Sequence, residues 1–191
     1  MSNYFSYFPT VFQDFTNNNN LIEVTNILRR FKVKDSLQNR VDIYYDYDIQ
    51  VGDRPDTIAE KYYGDSSYAW VILHYNDIVD PIFDWPLFNY DFEEYIRGKY
   101  GSIASAQATV HEYRRILTQQ QTQVDGTVIP ERYVVVDEST YNTLDEINKQ
   151  SISKWDYEVE LNDKKTKIRL LDKKYLNKIA GEIEDILRNG V

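Results

Sequence analysis

Asp77, Asp80 and Asp84 are spaced closely enough to offer oxygen ligands to a hard cation such as calcium. The stretch lacks the D-x-[DN]-x-[DN]-G order and its closing glutamate, so these carboxylates are expected to cap and shape a loop instead. Asp48 and Asp56 flank a turn and are the readiest pair for glycoside hydrolysis, which needs two acids facing each other across a cleft. Acids at the start of a helix more commonly cap it. His74 lies in an almost wholly apolar run, where it is expected to pack or bond the backbone rather than act as a base. His111 stands beside Glu112, and neither histidine is accompanied by a serine in a nucleophile elbow. Across the 191 residues there is no cysteine, which excludes thiolate nucleophiles, disulfides and thiolate metal sites. No phosphate loop or G-x-G-x-x-G occurs. No catalytic, cofactor or metal residue is assigned, and no enzyme activity is expected.

The remaining chemistry is binding chemistry. The 22 Lys and Arg against 31 Asp and Glu give a net charge of -9, which disfavours a nucleic-acid backbone as partner. No apolar run reaches the length of a membrane helix, and MSNYFSYFPTVFQDF lacks the order of a signal peptide, so the chain is expected to be intracellular when made. Lys164, Lys165, Lys167 and Arg169, followed by Lys173 and Lys174, form a basic patch in this acidic chain. It reads either as a docking surface for an acidic protein or as solvated charge. Aromatics are 15% of the chain and 17 of them are tyrosine, a residue that joins broad apolar contact to a polar tip.

The elements that must carry these residues divide the chain into three. Residues 1–41 read as an arm crowded with Tyr4, Phe5, Tyr7, Phe8, Phe12 and Phe15, interrupted by Pro9 and by the loop Asn17–Asn20. Leu21, Ile22, Val24, Ile27 and Leu28 suggest a short amphipathic helix ending near Arg29 and Arg30. Deletion of residues 1–15 is expected to leave residues 42–100 folded.

In 42–100, Val41, Ile43, Tyr45, Tyr47 and Ile49 alternate with polar positions, the pattern of a half-buried strand. Gly52-Asp53 turns the chain, Asp53 is placed to cap a helix with Pro55 in its first turn, and Gly64 is placed to close it. Asp65 or Ser66 caps a second helix, Tyr68–Tyr75, apolar nearly all round and hence buried, with Trp70 in the core. Trp85 and Phe88, on the irregular stretch between prolines and a third helix at Asp91–Lys99, are candidate contact residues.

In 101–191 the segment 102–125 suits helix or strand. Asp125-Gly126 signals a hairpin and Tyr133–Val136 a strand. Tyr157–Leu161 and Lys167–Leu171 read as a second hairpin about Asn162-Asp163-Lys164. Asp172 then caps a helix with the apolar face Leu176, Ile179, Ile183, Ile186 and Leu187, closed by Gly190.

Two resemblances refine this. Tyr47–Asp77 resembles a LysM module: Gly52, Asp53, Ile58, Ala59, Tyr63, Gly64 and Asn76 stand where that family has its strand, turn, two helices and closing asparagine. It departs where the second strand should follow, at Ile82–Leu87. Over nearly the whole chain, Tyr63-Gly64, Tyr68–Leu73, Asn76-Asp77-Ile78, Asp80-Pro81, Trp85-Pro86 and the later Tyr157-Glu158, Asn162, Lys164-Lys165 and Ile168 resemble the LysM-bearing wedge protein of contractile-tailed phage baseplates.

The fold so implied is α+β: a LysM-like strand-helix-helix module with an extended N-terminal arm and a C-terminal hairpin-plus-helix region. The resemblance implies a non-catalytic virion protein of the tail baseplate, present in the host cytoplasm during assembly. Such a protein binds other wedge proteins and helps neighbouring wedges join around the hub, with no nucleic acid, membrane or cofactor. The alternative is a LysM-type peptidoglycan binder. The candidate protein-contact residues are Tyr4, Phe5, Tyr7, Phe8, Phe12, Phe15, Trp85, Phe88, Lys164, Lys165 and Arg169. Gly52, Asp53, Ile58, Ala59, Tyr63, Gly64, Trp70, Asn76, Asp80 and Pro81 are expected to define the fold.

Overall fold

The computed structural model describes residues 4–29 and 40–189, so the expectations for Arg30 and Gly190 lie outside the described residues. After a 3-10 turn at Tyr4–Tyr7, the chain forms β1 (Thr10–Gln13), β2 (Ile22–Thr25), β3 (Tyr44–Asp48), α1 (Pro55–Tyr63) and α2 (Ala69–Tyr75). Next come α3 (Asn89–Tyr100), α4 (Ile103–Ala108), β4 (Val110–Thr118), β5 (Gln121–Thr122), β6 (Val128–Ile129), β7 (Arg132–Val136) and α5 (Glu138–Tyr141). It ends with β8 (Lys149–Ser153), α6 (Lys154–Thr166), β9 (Lys167–Leu171) and α7 (Lys173–Asn189). The fold is α+β. Two compact units form, Met1–Pro86 with Lys165–Val191, and Leu87–Lys164. Their boundaries differ from the 41/42 and 100/101 divisions drawn on sequence.

In the first unit β3 pairs antiparallel with β9, Tyr45 opposite Leu170 and Tyr47 opposite Ile168. The expected alternation is only partly kept: Ile43 and Ile49 are buried, but Tyr45 is exposed and Tyr44 packs against the core. The helix after the turn starts one residue later than Asp53 suggests. Arg54 is its N-cap, and the Thr57 hydroxyl accepts from the Arg54 N–H at 2.9 Å. Gly64 ends α1 in the left-handed conformation (φ 83°), where a side chain would be strained, and its N–H bonds the Glu60 carbonyl. Asp65 then caps the turn Ser66–Tyr68 through the Ser67 N–H, as expected.

Helix α2 is apolar because it is surrounded: Trp70, Val71, Ile72 and Tyr75 are all buried. Trp70, Val71 and Tyr75 join Ile43, Leu171 and the inner face of α7, Leu176, Ile183 and Leu187, in one core. Burying each of these large side chains contributes about 1.5–3 kcal/mol. Of the face expected on α7, Ile179 is half-buried and Ile186 exposed. Asp172 accepts from the Lys174 N–H at the start of that helix, as expected.

Two expectations for this unit are corrected. Leu21–Leu28 is not a helix: Ile22–Thr25 pairs with β1, Phe12 opposite Glu23. Asn17 and Asn19 adopt positive φ (54° and 59°), and Asp14 accepts from the Thr16 and Asn19 N–H groups, which turns the chain back. A helix this short carries the full nucleation penalty, and β-branched Ile22, Val24 and Thr25 favour the extended form. Nor do residues 157–171 form a hairpin: Lys154–Thr166 is helical and Lys167–Leu171 pairs with β3. Ser153 explains the start, since its hydroxyl accepts from the Asp156 N–H and donates to the Asp156 carboxylate. Asn162-Asp163-Lys164 is helical, with Asp163 and Lys164 on the solvent side.

In the second unit β7, β4 and β8 form an antiparallel sheet in that order, and α3 and α4 build a small core of Phe92, Ile96 and Ala106 with Trp155 and Val159 against it. The ambiguous segment is both things: α4, then β4. Asp125-Gly126 turns the β5–β6 hairpin, with Gly126 at φ 84°. Helix α3 runs through Gly98 and stops at Gly101 (φ 81°).

Candidate protein-contact surfaces

The arm splits in two. Tyr7 and Phe8 are buried beside Trp70, and Tyr4 stacks on that indole at 5.4 Å while its hydroxyl meets His74 Nε2 at 3.0 Å. These residues are core, which corrects the contact reading of Tyr7 and Phe8: a turn at Tyr4–Tyr7 folds them back before the hairpin begins. Beyond Pro9 the picture reverses. Phe12 is 67% and Phe15 66% exposed, and Leu21, Ile27 and Leu28 are exposed with them. Phe5 is also exposed.

Trp85 is corrected too. It is 9% exposed, and its indole N–H donates to the Asp53 carbonyl at 3.0 Å. The exposed apolar groups of that loop are Val79, Ile82 and Phe83, which the sequence reading passed over. Their sequence signal is three apolar residues set among aspartates and a proline. Phe88, in the second unit, is half-buried.

Two of the basic contact candidates are engaged within their own unit. Lys164 is exposed, Lys165 Nζ donates to the Phe83 carbonyl at 2.6 Å, and the Arg169 guanidinium lies 5.2 Å from the Tyr44 ring. Lys167 and Arg169 stand opposite Asp48 and Asp46 across the β3–β9 ladder and line a shallow cavity with them.

The residues expected to define the fold are tightly tied. Gly52 has φ 87°, and Asp53 is buried, accepting from the Tyr47 hydroxyl at 2.6 Å, the Gln50 N–H at 3.0 Å and Lys61 Nζ at 2.9 Å. Burial works to raise the Asp53 pKa, but these donors outweigh it and hold the carboxyl below its ordinary value. The same hydrogen bond, with burial, pushes the Tyr47 hydroxyl up to about 12. Ile58 and Ala59 are buried, and the Tyr63 hydroxyl donates to the Leu171 carbonyl. Asp80 takes the Ile82 and Phe83 N–H groups, and Pro81 is exposed beside it.

The residues weighed for catalysis do structural work. Burial pushes His74 down, so the ring is neutral at physiological pH and suited to its contact with Tyr4. His111 stacks on Tyr157 at 3.7 Å. Asp56 pairs with Arg54, and Asp84 accepts from the Val79 and Asp80 N–H groups. Among the described residues no group of three or more His, Asp or Glu is arranged to hold a metal ion.

A family model described as base plate wedge protein 53 matches residues 4–124, well over half of the chain. The chain belongs to this family. Membership supports a structural, non-catalytic role in phage tail assembly and a place in the virion tail. It also implies interaction with other wedge subunits in a multiprotein assembly. The match takes in the arm, β3, α1 and α2, and runs on through β4; β9 and α7 lie beyond it. A search of curated proteins finds no match.

Proposed function

We propose that this wedge protein acts by binding alone, joining wedge components and helping neighbouring wedges close around the hub. The observation that carries the reading is the exposed apolar hairpin of β1 and β2. Phe12, Phe15, Leu21, Ile27 and Leu28 lie outside their own core, and such surface is the common mark of a protein–protein contact. The hairpin, with Phe5 before it, is a partner-binding arm set on a folded base. Lys165 and Arg169 in the first unit, and Lys164 and Phe88 in the second, are further candidate contact positions, each within its own unit.

The test uses the full chain and purified baseplate wedges assembled without it. Phe12→Ser with Phe15→Ser is expected to leave the circular dichroism spectrum unchanged and to weaken capture by about 10-fold or more. Capture equal to that of the unaltered chain would refute the arm's role. Deleting residues 1–15 is the poorer experiment, because it removes Tyr7 and Phe8 from the core.

We also propose that β3, α1, α2 and β9 together are a LysM-like module interrupted by residues 87–164. The support is the order strand, helix, helix, strand with the two strands antiparallel, and Asn76 tied to the second strand. The Ile82–Leu87 departure then has a reason: the second strand is Lys167–Leu171. This arrangement keeps the peptidoglycan-binding alternative testable. Retention of the full chain on purified peptidoglycan, lost on glycan competition, would favour it over the purely structural reading.

A further inference from the structure

We propose that the loop from Asp77 to Trp85 is a preorganised apolar plug whose Ile82 and Phe83 side chains seat in an apolar, cation-rimmed socket on another wedge protein. This deepens the wedge-assembly reading and rests on it.

Two observations conflict unless something covers the loop. Its side chains are badly placed for water: Val79 is 90%, Ile82 74% and Phe83 70% exposed. Its backbone is nonetheless held at nearly every step. The Ile78 N–H bonds the Leu73 carbonyl, and the Asp84 N–H the Asp80 carbonyl at 2.7 Å. Asp84 Oδ2 accepts from the Val79 and Asp80 N–H groups, and Asp80 Oδ1 from those of Ile82 and Phe83. From outside the loop, Lys165 holds the Phe83 carbonyl and the Trp85 indole anchors the far end on Asp53. A loop fixed this way has already lost the conformational freedom that a floppy loop would lose on docking, so burial of its tip converts more fully into affinity. Two adjacent apolar side chains held outward on such a frame form a hot-spot anchor.

Charge specifies the occupant. Asp80 and Asp84 bond the backbone of the tip, Asp77 precedes them in the sequence, and Lys165 is the cation that meets the Phe83 carbonyl, in a chain whose net charge is -9. Asp80 and Asp84 each use one carboxylate oxygen to hold the loop, which leaves a carboxylate charge at the edge of the plug. A complementary surface is an apolar pocket with Lys or Arg at its rim. A second copy of this chain, equally acidic, is the less suitable occupant.

The test measures association of the full chain with baseplate wedges assembled without it, at low and high salt. Ile82→Ser with Phe83→Ser is expected to weaken binding about 100-fold while leaving the thermal melt unchanged. Asp80→Asn with Asp84→Asn keeps both loop acceptors and removes two charges. It is expected to weaken binding about 10-fold at low salt and to flatten the salt dependence. If the unaltered chain binds and the Ile82/Phe83 variant binds equally well, the plug is overturned while the wedge reading stands. If the unaltered chain does not bind at all, the wedge reading falls and the plug with it. An unchanged salt dependence in the Asp80/Asp84 variant overturns the cationic rim. A concentration-dependent dimer that the Ile82/Phe83 variant loses would assign the plug to a second copy and overturn the proposal.

Discussion

Asn76 is the residue whose loss should be most informative about how the interrupted unit is held. The Ile49 N–H donates to the Thr166 carbonyl, and the Asp172 N–H to the Ile43 carbonyl. Odd-numbered β3 residues therefore pair with even-numbered β9 residues, and the N–H and C=O of Arg169 face away from β3. The Asn76 carboxamide meets both: Oδ1 accepts from the Arg169 N–H at 2.8 Å, and Nδ2 donates to the Arg169 carbonyl at 2.9 Å. Nδ2 also donates to the Ile72 carbonyl at 2.8 Å, closing α2. One side chain thus stands in for a third strand and ties the helix to a strand far along the chain.

Asn76→Ala removes three hydrogen bonds at about 1 kcal/mol each, and water restores part of that at a half-buried site, so a loss of about 2–3 kcal/mol is expected. For a chain of this length that is a fall in Tm of roughly 5–10 °C. Asn76→Asp should be worse near neutral pH, because a carboxylate oxygen replaces the donor facing two carbonyls. Urea unfolding followed by tryptophan fluorescence measures the loss, and amide exchange at Arg169 locates it. A change below about 0.5 kcal/mol with full protection retained at Arg169 would refute the bridging role.

Three further outcomes follow from the same contacts. Asp53 titrates below its unfolded value, so its stabilisation is full above about pH 4–5 and is lost as the pH falls through the folded value. Asp53→Asn should flatten that acid limb in a pH series of melts, and an unchanged slope would count against the carboxylate. Phe8→Ala should cost about 3 kcal/mol in urea unfolding, because it opens the core around Trp70, whereas Phe12→Ala should change stability by less than about 0.5 kcal/mol. Gly64→Ala meets no neighbouring atom but forces φ 83° on a residue with a Cβ, so about 1 kcal/mol is expected; a neutral result would mean the helix end relaxes.

Local chemistry made a good part of the fold legible. Gly64 and Asp65 mark the junction of two helices because only a few residue types tolerate φ 83° or supply a short acceptor to a helix start. Asp125-Gly126 and the periodic face of α7 are equally local. Where the reading failed, the deciding interaction was remote or the local signal was short. Ile22–Thr25 is too brief for periodicity to choose between helix and strand, and pairing with Thr10–Gln13 chose. Tyr157–Leu161 and Asn162-Asp163-Lys164 read as a strand and a turn, but Ser153 caps the helix that contains them.

By itself, then, the sequence determined an acidic, cysteine-free α+β chain without catalytic motifs, and the residues at which its backbone must turn. Tertiary structure alone decided which apolar residues are covered. Trp85 is core because the Asp53 carbonyl is within reach of its indole, and Tyr7 and Phe8 are core because Trp70 is. Ile82 and Phe83 are exposed because two aspartates fix the loop that carries them. The strand completing β3 lies at Lys167–Leu171, past the whole second unit. Side-chain type states a preference for burial, but burial is conferred by neighbours, and neighbours distant along the chain come together only in the fold.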